Sequence, residues 1–199
     1  MKRWLIPVVV ILTLISMIFF CEYITERVTR FELPEGELRW SKTRPTNAKM
    51  CIPAAFTEVD GDIVGSYRID GKTYQRSRMR MKVSLKGDIF YISRNWMSDN
   101  GFQQLTLVCD SKPMKFQSTD KSMRRALCKD KDGAFILESN YPMTLTSFAY
   151  YCSKHCTNAT YLDMGEYGYG YIKRGWLIRP LHIWGIFAQH KQTNWLYIE

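Results

Sequence analysis

Histidine is scarce, with 3 among 199 residues. No serine on a nucleophile elbow stands ahead of an acid and a histidine, which removes the common triad hydrolases. No glycine-rich loop runs into Lys-Ser or Lys-Thr, so a nucleotide P-loop is excluded. Internal repeats and low-complexity stretches are missing, which excludes solenoids and long coiled coils. With 14% aromatic residues, the chain is too rich in core-forming side chains for disorder. Net charge is +9, yet no finger or helix-turn-helix pattern accompanies it, and no nucleic-acid partner is expected. The basic residues are dispersed except for Arg76, Arg78, Arg80 and Lys82. These alternate with Ser and Met as on the wet face of a strand, or as a basic surface for phosphate, acidic glycan or anionic lipid.

What is present begins with one long apolar run. Lys2 and Arg3 precede Trp4–Cys21, which is apolar apart from Thr13 and Ser16. A bilayer-spanning helix takes about 20 such residues. Met17 to Cys21 offer no small-x-small cleavage site, and Phe19 and Phe20 stand where a lipoprotein cysteine wants small residues. The segment 1–21 is therefore read as an uncleaved signal-anchor, or else a signal peptide whose loss would give a secreted protein. The basic flank places the N-terminus in the cytoplasm and the bulk of the chain outside it, with the lipid bilayer as a partner through residues 4–21.

Beyond the run lie Cys51, Cys109, Cys128, Cys152 and Cys156. Outside the cytoplasm one or two disulfides are possible and at least one thiol stays over. Cys152, His155 and Cys156 suggest zinc, but a credible fourth ligand is lacking. No cofactor is predicted, and a divalent metal has no support.

Residues 22–49 read as a connector, punctuated by Pro34, Gly36 and Pro45, with Phe31, Leu33, Leu38 and Trp40 on one strand joining the domain. Asp60-Gly61, Asp70-Gly71 and Lys86-Gly87 mark tight turns between short strands. Phe102–Cys109 is apolar and branched enough for a central strand, and Arg124–Cys128 with Ala134–Glu138 form a further hairpin. The period then changes: Leu145, Phe148, Ala149 and Cys152 recur at three and four, predicting one amphipathic helix of about three turns, capped by Thr144 or Thr146. Asn158–Asp163 and Asn194–Ile198 return to strand. The fold class is α+β: a single domain of many short strands in a mixed, largely antiparallel sheet system with one main helix, behind an N-terminal transmembrane helix.

From about Met50 to Glu199 the chain resembles the phosphodiester glycosidase domain family, and 50–199 is assigned to it. Four blocks match in order: Pro53-Ala-Ala-Phe56 with its Asp-Gly turns; Phe102-Gln-Gln-Leu-Thr-Leu-Val108; the Arg124-Arg-Ala-Leu-Cys128 hairpin; and Pro142-Met-Thr-Leu145, helix, Asn158-Ala-Thr-Tyr-Leu-Asp-Met-Gly165. The resemblance implies hydrolysis of a glycosyl phosphodiester, with a glycan or sugar phosphate as substrate. Such chemistry needs hydrogen-bonding cations around phosphate and a carboxylate for a proton or a water.

On the matching positions, Arg125 is the first choice for phosphate, Asp163 and Glu138 are the candidate catalytic carboxylates, and Gln104, Arg124, Glu166 and His182 are candidate substrate-binding residues. Strand alternation is expected to turn only one of Arg124 and Arg125 inward. His190 is a lesser candidate beside His182. Departures from the family fall near the chemistry, with Glu166 and Tyr167 in place of the usual small residues. Pro53 stands at the family's opening asparagine, and Met164 replaces a glycine after Asp163. They leave two functions: a membrane-tethered extracytoplasmic hydrolase of envelope or surface glycans, or a non-catalytic relative that binds glycan or a membrane partner.

Overall fold

The computed structural model describes residues 27–58, 60–74, 79–164, 169–174, 177–181 and 194–199. The run 4–21, Arg76, Arg78, Glu166, His182 and His190 lie outside them. Among the described residues no helix is long and apolar enough to cross a membrane.

Turn chemistry sets the local hairpins. Tyr67–Ile69 (β4) and Lys72–Tyr74 (β5) meet around Asp70-Gly71, whose φ angles of 48° and 77° suit a type I′ turn. Lys82–Lys86 (β6) and Ile89–Ser93 (β7) pair around Gly87, at φ 63°. With Asn100–Phe102 (β8) these four form a five-stranded sheet in the order β5-β4-β8-β6-β7. Gly101 is required by its position rather than by a turn. A Cβ there would lie 2.1 Å from the Val83 carbonyl and 2.9 Å from the Trp96 ring, which packs over the strand.

A second sheet is assembled from distant pieces. Leu177–Leu181 (β15), Gly170–Arg174 (β14), Met50–Pro53 (β3), Trp195–Ile198 (β16) and Leu38–Ser41 (β2) lie in that order. β16 sits between β3 and β2, pairing Leu196 with both Ile52 and Trp40.

The six-stranded sheet runs Val28–Glu32 (β1), Ala134–Ser139 (β12), Arg125–Lys129 (β11), Asn158–Leu162 (β13), Thr106–Cys109 (β9) and Lys112–Pro113 (β10). Every strand pair among the described residues is antiparallel, so the sheets are not mixed as expected. The stretch 22–49 is likewise more than a connector. From Val28 onward it supplies β1 and β2, and Phe31 and Trp40, expected on one strand, stand in different sheets.

Alternation along β11 separates two cores. Leu127 faces a cluster shared by all three sheets, with Ile136, Leu162, Ile52, Leu196, Phe102 and Val83. Ala126 and Cys128 face the other way, toward Phe148, Ala149 and Cys152 of the helix Leu145–Ser153 (α1). The helix is the one expected, on the expected face, and its N-cap is Thr144, whose hydroxyl accepts from the Ser147 N–H at 3.1 Å. Phe148 and Cys152 are fully buried and Leu145 is half-buried against the same cluster.

The central strand expected over Phe102–Cys109 divides. β8 belongs to the five-stranded sheet and β9 to the six-stranded one, with Gln103-Gln104-Leu105 as the crossing. Gln103 fixes the break: its side chain accepts from the Ser66 N–H at 2.9 Å and donates to the Met79 carbonyl at 2.8 Å. A polar side chain satisfied by backbone on both sides holds the chain out of a ladder.

Candidate active site

Arg125 opens β11, and its alternation with Leu127 turns it toward the three-sheet core. It is fully buried and its Nε donates to Glu138 Oε2 at 2.8 Å. The pair is cross-strand, since Arg125 lies in register with Glu138 on β12. On its other side Arg125 is in register with Leu162 of β13. Asp163 follows Leu162 beyond the strand end, 8% exposed, with its N–H donating to the Ala54 carbonyl at 3.0 Å.

Gln104 reaches the same row from the opposite edge. Thr106 is in register with Thr160, and the Tyr161 N–H donates to the Leu105 carbonyl at 2.8 Å. Continuing that register sets Gln104 beside Leu162. The row across the inner face therefore reads Gln104, Leu162, Arg125, Glu138 and, on β1, Thr29, which pairs with Glu138. Strands lie about 4.8 Å apart, so Gln104 and Arg125 stand roughly 10 Å apart along the row, within reach of two long side chains.

Hydrogen bonding along this row is incomplete. Gln104 uses its Oε1 to accept from the Leu105 N–H at 2.8 Å, while its buried Nε2 has no partner among the described residues. Both terminal nitrogens of Arg125 and the Thr106 hydroxyl are in the same condition. Each buried unpartnered polar group costs about 1–3 kcal/mol, more where charged. Four such atoms lie on one sheet face, three of them donor nitrogens.

Arg124 is buried as well, but on the opposite face. Its Nε donates to the Met143 carbonyl at 3.0 Å, one terminal nitrogen to the Asp120 carbonyl at 2.8 Å, and the guanidinium carbon stands 5.8 Å from the Tyr161 ring centroid. The reading that one arginine of the pair stays outside is corrected: alternation sends them into two different interiors. Arg124 ties the approach to α1 against β13. Tyr161 feels the whole group. Burial pushes its phenol up, Arg124 draws it back through a hydrogen bond and its charge, Asp163 adds to the rise, and Arg125 opposes it.

Of the proposed residues, the structure pairs Arg125 with Glu138, sets Gln104 in their row, and places Asp163 one residue past that row. Arg124 is on the far face, and Glu166 and His182 lie outside the described residues. Sequence reasoning missed Thr106, whose signal was a hydroxyl at an inward position of an apolar strand. It also missed Asn194. That side chain is fully buried, accepts from the Ala55 N–H at 2.6 Å and donates to the Ala55 carbonyl at 3.0 Å, so it holds the Pro53–Phe56 turn while Asp163 holds Ala54. Met164 is 6% exposed immediately beyond Asp163. Among the described residues no group of three or more His, Cys, Asp or Glu is arranged to hold a metal ion.

No family model matches the chain. No curated protein sequence matches it. Solved structures do. The chain is similar to the catalytic domain of zebrafish N-acetylglucosamine-1-phosphodiester alpha-N-acetylglucosaminidase, auto-inhibited by its pro-peptide, at 14% identity and TM-score 0.56, covering 86% of this chain and 76% of that one. It is also similar to a hypothetical protein from Synechocystis at 9% identity and TM-score 0.51, covering 88% of this chain and 57% of that one. The order of motifs along 50–199 and these likenesses converge on one architecture: the chain has the fold of the phosphodiester glycosidase catalytic domain.

Proposed function

We propose that the protein is a membrane-tethered, extracytoplasmic hydrolase of glycosyl phosphodiesters in envelope or surface glycans. The observation that carries this reading is Arg125: a buried guanidinium, held at its Nε by Glu138, with two terminal nitrogens that have no partner among the described residues. A planar fork with two free donors fits two oxygens of a phosphate. In the proposed reaction water adds to the sugar, the bond from sugar carbon to bridging oxygen breaks, and a phosphomonoester leaves. Arg125 meets the phosphate oxygens, Gln104 adds an amide donor, and Glu138 keeps the guanidinium in place. Asp163 orients the water or exchanges its proton. The fold likeness to an enzyme whose name specifies a sugar-1-phosphodiester supports the substrate class.

The alternative, a non-catalytic glycan-binding relative, is favoured by one observation. Met164 is buried against the end of β13, where the resembling family carries glycine. The two readings separate in one assay. The purified ectodomain is expected to hydrolyse at least one member of a panel of sugar-1-phosphodiesters, and Met164→Gly to do so faster. No turnover by either protein, with or without divalent metal, would leave the binding protein standing.

Tethering has its own test. A C-terminally tagged chain in intact spheroplasts is expected to lose its tag to added protease while a cytoplasmic marker survives. A tag cleaved only after the membrane is broken would reverse the topology.

A further inference from the structure

Three thiols meet in the second core. Cys128 lies on the face of β11 that looks at α1, Cys152 on the buried face of α1, and Cys156 just after the helix, all in one cluster and none more than 6% exposed. All three are free thiols in this structure, and Cys128 is packed into the same buried cluster as Cys152 and Cys156. The Cys156 thiol donates to the Cys152 carbonyl at 3.0 Å, which turns it to the backbone as well. His155 is not part of the group. It is exposed and stacks on Tyr151 with ring centroids 6.4 Å apart, so the zinc arrangement suggested by Cys152, His155 and Cys156 does not form.

The remaining thiols of the described residues do not belong to this cluster. Cys51 is buried in a separate small cluster with Ala48, Tyr171 and Trp195 on the second sheet. Cys109 is half-exposed and its thiol faces the Asp110 carboxylate at 3.9 Å.

We infer that Cys128 is the shared member of a disulfide-forming trio, and that one disulfide joins it to Cys152 or Cys156, fastening β11 to α1. Neighbouring core thiols brought from a strand and a helix by the native fold are what a disulfide of ordinary geometry needs. The chemistry is exchange with a disulfide of the surroundings, either a protein oxidant or glutathione disulfide. Two S–H bonds of the protein and the S–S bond of the oxidant are lost. One protein S–S bond forms, and two protons and two electrons leave with the oxidant as two thiols. Because Cys128 is common to both pairings, the third thiol stays reduced and can exchange with the bond it lies beside.

The timing follows from burial. Desolvation first, then its two thiol neighbours, hold the Cys128 thiol well above its ordinary pKa. Thiolate is the reactive form, so the closed core oxidises slowly and the bond forms while the chain is folding.

The test uses the full chain in detergent, refolded from the reduced, denatured state in a glutathione redox buffer, then alkylated and mapped by mass spectrometry. The expected product links Cys128 to Cys152 or Cys156 and leaves Cys51 and Cys109 alkylated. Its melting temperature is expected to exceed that of the reduced protein by on the order of 5–10 °C. Cys152→Ser and Cys156→Ser each leave one partner, so at least one of them is expected to retain the bond, whereas Cys128→Ala leaves none. Native reduced protein in the same buffer is expected to oxidise at least 10-fold more slowly than the refolding chain. A refolded, native protein with all three thiols alkylated, or with Cys128 free and another pair joined, would overturn the inference.

Discussion

Replacing Glu138 with alanine is expected to lower the stability of the domain by about 3–5 kcal/mol, read as a drop in the denaturant midpoint at unchanged slope. The reason is what remains. Arg125 is fully buried and Glu138 is its one ion-pair partner among the described residues. Alanine would leave a guanidinium in a three-sheet core with its charge uncompensated. The double replacement Arg125→Met with Glu138→Met is expected to recover most of the loss, because removing both charges also removes their desolvation. A midpoint unmoved by Glu138→Ala would mean that water reaches Arg125. An apolar pair of similar volume is expected to be about as stable, so the ion pair is not there for stability alone.

Asp163→Asn is expected to lower the rate of diester hydrolysis about 100-fold or more while leaving the melting temperature within a few degrees of wild type. The amide keeps the size of the side chain and the backbone bond to Ala54, and removes the negative charge together with the capacity to take a proton. Arg125→Lys in the same assay is also expected to lose activity, since an ammonium cannot engage two oxygens as a fork does. An Asp163→Asn protein with undiminished turnover would remove Asp163 from the chemistry and move attention to Glu138.

Local structure was legible where one residue type has one use. Asp70-Gly71 and Lys86-Gly87 gave their hairpins because positive φ is needed there, and Leu145, Phe148 and Cys152 gave the helix and its buried face because their spacing has few other readings. Pairing between distant strands was not legible. Nothing in Val28–Glu32 names Ala134–Ser139 as its neighbour, since an amphipathic strand fits many edges. The division of Phe102–Cys109 was hidden for another reason: propensity favours strand throughout, and the break depends on Gln103 finding Ser66 and Met79. In the site, Arg125 and Glu138 were legible as residues but not as a pair, because cross-strand register decides that. Asn194 was invisible. Its importance lies in the Ala55 backbone, 139 residues earlier, which it binds with both ends of its amide.

The place of Trp195–Ile198 between Met50–Pro53 and Leu38–Ser41 has a consequence for how the molecule comes into being. A ribosome releases strands in order, and until residues 194–198 emerge nothing joins Leu38–Ser41 to the rest of this sheet. Trp40 waits for Asn194, 154 positions later, before its indole N–H finds the amide oxygen at 3.3 Å. Closure at such separation is slow, and the edges of both flanking strands that face it stay unpaired meanwhile. A nascent chain that cannot close its sheet is also one that a narrow translocation pore can still thread.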